Sequence, residues 1–359
     1  MNIDWAIVLA SVLVGFTVGL TGMGGGALMT PILVIFFNIA PTTAVSSDLV
    51  AAMVMKPVGG GVHIRRKTVR WELVRWLCVG SVPAAIGGVL LLNLSADRAA
   101  IQSSIKIVLA VTLILATAAM VFRAWLQGRR SALARAGRRP TLGLGRAIQV
   151  RIPITILIGA FGGVLVGLTS VGSGSIIIVS LMLAYPELRG SHLVGTDLVQ
   201  AVPLVGAAAL AYVFIGEFEL GLTSSILIGS LPAVYLGSRL SSKAPDGLIR
   251  PILVLVLLAS GLKLLGVPTN ILGVILLVLV VVGLPLWGAA DAATHPPSAW
   301  ERVGLRQPRW TRWQLFGAPV GIGFAFAVAY FSKVRPQVAP DSVTLSTQEV
   351  PTPAALRRG

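Results

Sequence analysis

The sequence predicts an all-α polytopic membrane protein built from two inverted repeats, and three observations support this. Of 359 residues, 55% are hydrophobic and 12% charged, with a mean hydropathy of +0.87, which is more apolar surface than a soluble domain can bury. Basic residues cluster in short blocks between long apolar segments. A glycine-rich break at residues 19–26 recurs at residues 167–174. We therefore expect each repeat to contain a Gly-rich broken, re-entrant hairpin and three transmembrane helices, with a C-terminal extension of one or two further helices.

The composition also excludes several functions. Cys78 is the only cysteine, which rules out an internal disulfide, a Cys-x-x-Cys pair and a cysteine-based metal site. The three histidines have no ligand-like spacing, so we expect no metal and no cofactor. The net charge of +16 resides in blocks beside apolar segments, as expected for cytoplasmic membrane ends rather than for nucleic-acid binding. Asp4 and the absence of Lys or Arg before the first apolar run indicate an uncleaved first segment.

The first repeat begins with two short apolar arms, residues 5–20 and 27–37, on either side of the glycines. As helices these arms would be roughly 24 and 17 Å long, whereas the hydrocarbon core is about 30 Å thick. A re-entrant hairpin with its tip at the glycines fits these lengths best, and a tilted, broken single span is the alternative. Three segments long enough to cross follow, at 43–62, 71–93 and 101–123.

Charged loops predict the domain boundaries and the sidedness. The segments 63–75 and 123–151 are rich in arginine, and the positive-inside rule places both in the cytoplasm. The predicted organisation is then a first repeat, a basic link, a second repeat, a C-terminal membrane extension and a disordered tail, at residues 1–123, 124–151, 152–266, 267–331 and 332–359.

The second half repeats the first at a nearly constant offset. Asp48 corresponds to Asp197 at an offset of 149, and the sequence Gly80-Ser-Val-Pro-Ala84 corresponds to Gly229-Ser-Leu-Pro-Ala233. Around the glycine breaks the offset is 148, so that Gly26 corresponds to Gly174. Agreement at so many Gly and Pro positions indicates an internal repeat.

Loop charges predict that the two repeats are inverted. The basic loop at 63–70 corresponds to residues 212–219, which contain two acidic residues and no Lys or Arg, whereas the sparsely charged loop at 95–98 corresponds to the basic segment 243–250. One hairpin plus three crossings is an odd number of crossings, so the second copy would be upside down, as in many secondary transporters.

The C-terminal extension has no counterpart in the first repeat. Residues 271–288 predict another span, and residues 314–331 a last one. Between them, residues 300–313 combine arginines with tryptophans, which is typical of a segment at the cytoplasmic membrane interface.

The two breaks are the candidate binding site. Irregular backbone within a membrane is tolerated only where it is buried in protein or lines a cavity, and amide groups at a helix N-terminus favour an anion. Close helix packing through small residues is the alternative explanation. The substrate-binding candidates at the two breaks are Thr21, Gly24, Gly25, Gly26, Thr169, Ser170, Gly172, Ser173, Gly174 and Ser175.

Asp48 and Asp197 are candidates for coupling or structural carboxylates, because ionisable residues within membrane segments are often functional. Each could carry a coupling proton or hold nearby hydroxyls in place; alternatively, each could cap the N-terminus of its helix. Ser47 and Thr196 precede them in the sequence. Lys56 is a further candidate, as a partner of the carboxylates or as an anion contact, although the second repeat has Val205 in its place.

These residues resemble the TauE/SafE (sulfite exporter) family of bacterial membrane permeases. The resemblance rests on Gly15–Pro31, on Ser46-Ser47-Asp48, on Gly61-Val-His63 and on Gly80–Ala84, with a second copy from Gly163 to Gly237. It implies transport of sulfur-containing or related organic anions, such as sulfite or sulfonates, without ATP hydrolysis. The second copy departs from the family pattern because it has a less complete glycine run.

Two hypotheses remain from the sequence. The first is a secondary transporter whose partners are the lipid bilayer, a small anion and, as a coupling ion, a proton. The second is a membrane scaffold or assembly factor without transport activity, with the basic link and the Arg-Trp segment as docking surfaces. An enzyme is not expected, because the sequence offers neither a nucleophile–base pair nor a set of metal ligands.

Overall fold

A computed structural model describes residues 3–21, 25–93, 97–135, 150–188, 190–215, 218–240, 246–293, 300–301, 304, 307–317, 322–330 and 334. Apart from an isolated bridge between Gly172 and Gly174, the regular structure in these ranges is helical. The helices are α1 Trp5–Thr21, α2 Gly26–Phe36, α3 Pro41–Arg65, α4 Trp71–Asn93, α5 Arg98–Arg135, α6 Ile152–Thr169, α7 Ile176–Ala184, α8 Gly190–Ile215, α9 Leu220–Leu240, α10 Asp246–Leu264, α11 Thr269–Val278, α12 Leu284–Ala293, α13 Gln307–Gly317 and α14 Ile322–Ala329. A π-helical turn, Leu279–Gly283, joins α11 to α12.

Among the described residues, six helical segments are long and apolar enough to cross a membrane. They include α4, α6, α8 and α9 together with Arg98–Leu126 of α5 and the segment Thr269–Ala289. α3 is equally long but contains Ser46, Ser47, Asp48 and Lys56, which lower its hydropathy. The predicted fold class, an all-α polytopic membrane protein, is confirmed.

The first hairpin folds back at its glycine break. In its middle, the Ser11 hydroxyl of α1 lies 3.8 Å from the Met29 sulfur of α2. Nearer the break, a methyl group on Gly25 would lie 3.9 Å from Val18. The contacts pair later residues of α2 with earlier residues of α1, so the arms run in opposite directions rather than forming one broken span.

The second hairpin has the same arrangement and is fixed at its open end. The Tyr185 hydroxyl, just after α7, lies 2.6 Å from the Thr155 hydroxyl near the start of α6. It also accepts a 2.9 Å hydrogen bond from the Arg151 amide. These polar contacts join the two arms where they are furthest from the break.

Each hairpin packs against a crossing helix of the other repeat, α1 on α9 and α6 on α4. Glycines make the contacts close: a side-chain carbon on Gly15 would overlap the backbone of Ser230, and one on Gly163 would overlap the backbone of Ser81. These two pairs occupy corresponding positions in the repeats. Small residues of this kind let membrane helices approach at backbone distance.

In a second pair of close contacts, the glycine belongs to the crossing helix, α4 or α9, rather than to the hairpin. A side-chain carbon on Gly80 of α4 would overlap the Ile156 carbonyl of α6, and one on Gly229 of α9 would overlap the Val8 carbonyl of α1. Each helix of a packed pair therefore contributes glycines. The motif Gly-Ser-x-Pro-Ala, found in both repeats, contains the glycine and serine of these interfaces.

α3 and α8 occupy corresponding positions in the two repeats and pack against each other. A methyl group on Gly195, early in α8, would lie 3.1 Å from the His63 ring near the end of α3. Further along, one on Gly206 would lie 4.0 Å from the Met53 sulfur. Later residues of α8 therefore contact earlier residues of α3, so these two helices are antiparallel.

α5 is longer than the sequence predicted. It continues to Arg135, so its last part occupies the beginning of the segment predicted as a basic link from residue 124. A long arginine-containing helix can extend beyond the membrane because its backbone hydrogen bonds are satisfied internally. Residues 136–149 of the link lie outside the described residues.

The chain divides into two compact units, the first formed by Met1–Ala244 and Leu253–Leu272, the second by Pro245–Ile252 and Gly273–Gly359. In the second unit, α12 packs against α13 and α14. Trp300 is 1% exposed and stacks on Tyr330 at 6.1 Å, whereas Trp313 is 54% exposed. The segment 300–313, predicted to lie at the membrane interface, thus includes a tryptophan that belongs to a packed core.

The structure describes only part of the last predicted span, residues 314–331. Its described part consists of the end of α13 and the eight-residue α14, and residues 318–321 lie outside the described residues.

Gly80→Ala should destabilise the protein, because the added carbon overlaps the Ile156 carbonyl. Overpacking of this kind costs about 1–3 kcal/mol. Gly87→Ala is the matched control on the same helix: nothing lies within 4 Å of its added carbon, so its stability should be unchanged or slightly higher. Thermal unfolding in detergent measures both. Equal stability of the two variants would contradict the close α4–α6 contact.

Candidate functional site

The two glycine breaks meet. A side-chain carbon on Gly26, the first residue of α2, would overlap the Ser170 carbonyl and lie 2.6 Å from the Ser170 hydroxyl. Ser170 is the residue that follows α6. The tip of each hairpin is therefore in contact with the tip of the other.

The second break has an unusual backbone. Ser170 adopts a left-handed conformation, with φ of 60°, and its amide donates a 2.7 Å hydrogen bond to the Val166 carbonyl, which ends α6. Gly172 and Gly174 have φ values of 131° and 90°, a region that favours glycine. A non-glycine residue in the left-handed region is often found at functional sites.

Asp48 lies in the interior of α3, about two turns after the helix begins at Pro41, so it does not cap the helix N-terminus. It is fully buried. Its Oδ2 accepts a 3.0 Å hydrogen bond from the Thr30 hydroxyl of α2, and the Ser170 side chain lies beside the same carboxylate. Its Oδ1 has no hydrogen-bond partner within the described part of the chain.

Asp197 occupies the corresponding position in α8, again about two turns after the helix start at Gly190, so helix capping does not explain it. Its Oδ2 accepts a 2.7 Å hydrogen bond from the Gly174 amide. Its other oxygen is buried without a partner among the residues described. The Gly174 amide, which we expected to face a substrate anion, therefore binds a carboxylate of the protein itself.

Lys56 extends from α3 of the first repeat to the break of the second. Its ammonium donates a 2.6 Å hydrogen bond to the Ser173 hydroxyl, and it attracts both Asp48 and Asp197 electrostatically. The side chain is 8% exposed. The comparison of the repeats, with Val205 at the corresponding position, gave no indication that Lys56 reaches the second break.

The remaining predicted residues have different surroundings. The Thr169 hydroxyl donates to the Leu165 carbonyl at 2.6 Å, within its own helix. The Thr196 hydroxyl accepts a 3.1 Å hydrogen bond from the Arg70 amide, at the basic loop. Ser47 is buried, with its hydroxyl unpartnered in the described residues, and Ser175 is also buried. The Thr21 side chain and Gly24 lie outside the described part.

Two polar residues near this region were missed by the sequence reasoning. Thr30 binds Asp48 as described, and the Gln200 amide donates a 2.6 Å hydrogen bond to the Ser81 hydroxyl of α4. Gln200 follows Asp197 by three residues, so both lie on one side of α8. Its carbonyl oxygen is buried and unpartnered in the described residues. The helical spacing from Asp197 was the signal that could have identified Gln200.

The site is defined chemically by buried charge. Two carboxylates and one ammonium lie among buried helices, where charge is costly unless it is paired or hydrogen-bonded. Hydroxyls and a backbone amide at the breaks add hydrogen-bond donors. Such a site can bind a small anion at the ammonium and a proton at a carboxylate.

Two broken hairpins that meet around buried ionisable residues, in a polytopic all-α protein, are features of secondary transporters. The model of the family described as "Sulfite exporter TauE/SafE" matches residues 7–264. The chain belongs to this family, and it is a multi-pass membrane transporter of the TauE/SafE type.

Two relatives from Bacillus subtilis (strain 168) are similar to this chain. The chain is 35% identical to "Probable membrane transporter protein YjnA" over 261 residues, which cover 72% of this chain and 99% of the relative. It is 24% identical to "Probable membrane transporter protein YdhB" over 262 residues, with the same coverage. No solved structure matches the chain.

Gly26→Ala should separate the two tips, because the added carbon overlaps the Ser170 carbonyl. We expect a loss of about 1–3 kcal/mol in unfolding free energy. Gly25→Ala is the control: its added carbon would meet Met55 at 3.6 Å, an ordinary contact, and its φ of −59° suits alanine. Unfolding in detergent compares the two, and a Gly26→Ala protein as stable as Gly25→Ala would show that the tips are apart.

Proposed function

We propose that this protein is a secondary transporter of small anions, with sulfur-containing oxyanions such as sulfite or organosulfonates as substrates. The observation that carries the proposal is the position of Lys56, whose ammonium lies 2.6 Å from the Ser173 hydroxyl at the second break. An ammonium next to hydroxyl donors is a suitable partner for an oxyanion, because charge-assisted hydrogen bonds are the strongest of their kind. The family description, sulfite exporter, agrees with this substrate class.

The proposed binding region consists of the facing tips of the hairpins. Gly26 provides close backbone approach to Ser170, Gly25 lies next to it at the same tip, and Ser173 and Lys56 provide donors. The Thr169 hydroxyl stabilises the end of α6 by donating a hydrogen bond to the Leu165 carbonyl. Thr21, Gly24, Gly172, Gly174 and Ser175 complete the set of residues predicted for substrate binding from the sequence.

Transport would proceed by alternating access around this region, with the two repeats in inverted orientation. The antiparallel contact of α3 with α8 supports inversion, since these helices correspond to each other in the repeats. The packing of each hairpin on a helix of the other repeat supports a rocking motion in which hairpin and partner helix move together.

We further propose that the protein lies in the inner (plasma) membrane of a bacterium, with the basic segments 63–75 and 123–151 in the cytoplasm. The described parts of these segments expose arginines, including Arg65, Arg66 and Arg70, beside the ends of apolar helices. That distribution is the one that the positive-inside rule associates with the cytoplasmic side.

Uptake of labelled sulfite into proteoliposomes tests this function. Lys56→Met removes the buried ammonium and should lower the initial rate at least about tenfold, since a charge-assisted hydrogen bond is worth about 1.5–3 kcal/mol. Lys106→Met is the matched control, because Lys106 is exposed on α5, and its rate should remain near that of the wild-type protein.

Two results would contradict the proposal. Equal rates for Lys56→Met and the wild-type protein would remove Lys56 from the binding site. Absence of flux for sulfite and for a panel of sulfonates in the wild-type protein would instead favour the membrane scaffold.

A further inference from the structure

The second break already holds an anion, the Asp197 carboxylate. Its Oδ2 accepts a 2.7 Å hydrogen bond from the Gly174 amide, two residues before α7 begins at Ile176. The adjacent residue, Ser173, is bound by Lys56. Asp197 therefore occupies a donor at the place where the proposed function puts the substrate, and the inference below rests on that function.

The two carboxylates differ in what they bind. Asp48 accepts from the Thr30 side chain, whereas Asp197 accepts from backbone at a break. The position corresponding to Thr30 in the second repeat is Ile178, which has no hydroxyl to offer. Among the described residues, Asp48 is therefore held by the side chains of Thr30 and Ser170, whereas Asp197 competes with an incoming anion for a backbone amide of the break.

Asp197 is surrounded by few other charges. The helices α6 and α7 contain no titratable residue, and in α4 the titratable groups are Glu72, Arg75 and Cys78, all in its first part. From the elements around α8, the charges that act on Asp197 are Lys56 of α3 and Arg123 of α5. Asp48, also on α3, is attracted by the same Lys56 ammonium. The His63 ring of α3 lies beside Gly195.

An uncompensated oxygen makes Asp197 a site for a proton. Its Oδ1, like that of Asp48, is buried and has no hydrogen-bond partner in the described residues, and an ionised carboxylate with an unsatisfied buried oxygen is costly. What distinguishes Asp197 is that its other oxygen occupies the Gly174 amide. Protonation would remove its negative charge and weaken its acceptor bond with the Gly174 amide. That amide and the Lys56 ammonium would then be available to another anion.

We propose that Asp197 acts as an internal substitute for the substrate and is the binding site of a coupling proton. In the substrate-free protein the Asp197 carboxylate accepts the hydrogen bond of the Gly174 amide. When Asp197 takes up a proton, this hydrogen bond is released. A monovalent oxyanion then takes the place of the carboxylate beside Lys56. One proton and one anion enter together, so the net charge of the site is the same before and after binding. Asp48, held by the Thr30 and Ser170 side chains, keeps a structural role.

Uptake of a labelled alkanesulfonate into proteoliposomes tests the proposal, because the charge of a sulfonate does not change between about pH 5 and 8, unlike that of sulfite. For the wild-type protein, an acidic exterior should accelerate uptake about fivefold or more over equal pH on both sides. Asp197→Asn, which is permanently neutral, should lose this acceleration but retain downhill exchange. Asp48→Asn should keep the acceleration even if its rate is lower.

The outcomes separate this proposal from the proposed function. Acceleration by the pH gradient that persists in Asp197→Asn, or that is absent in the wild-type protein, overturns the role of Asp197 and leaves anion transport intact. No sulfonate or sulfite flux in the wild-type protein overturns transport itself.

A second measurement decides the question if Asp197→Asn is inactive. Adding the alkanesulfonate to wild-type protein in weakly buffered detergent solution, with a pH-indicator dye, should raise the pH as about one proton is taken up per anion bound. Anion binding without proton uptake would overturn the proposal.

Discussion

The contact between Gly26 and Ser170 is the interaction on which the site depends. Backbone polar groups inside a membrane must be satisfied within the protein, and two interrupted helices are possible here because each covers the other. Gly26 allows the approach because it has no side chain to separate it from the Ser170 backbone. Once the tips meet, Asp48 lies beside Ser170 and Lys56 reaches Ser173, so groups from both repeats share one buried region.

The glycine contacts on α4 and α9 give this region its support. Each hairpin is packed at backbone distance on a crossing helix of the opposite repeat, through Gly80 and Gly163 on one side and Gly15 and Gly229 on the other. A movement of one hairpin must therefore move a helix of the other repeat. This arrangement links the position of the tips to the rest of the membrane domain, which is what alternating access requires.

The elements and their repetition could be predicted from the sequence, because glycine, proline and apolar runs determine where helices begin and end. The hairpins and the equivalence of Asp48 and Asp197 followed from the same pattern. The contacts of Lys56 and Asp48 could not be predicted in this way, because their residues differ between the repeats: Val205 replaces Lys56, and Ile178 replaces Thr30, the partner of Asp48. The burial of Trp300 depends on tertiary packing, which local composition does not encode.

The central claim is that an anion binds where the two tips meet, beside Lys56. Selenite is an analogue of sulfite whose selenium scatters X-rays anomalously, so an experimental structure of the protein with selenite would locate the anion directly. The account predicts an anomalous peak within hydrogen-bonding distance of the Lys56 ammonium and near Ser173. A peak elsewhere in the protein, or no peak at a selenite concentration that inhibits sulfite uptake, would contradict it.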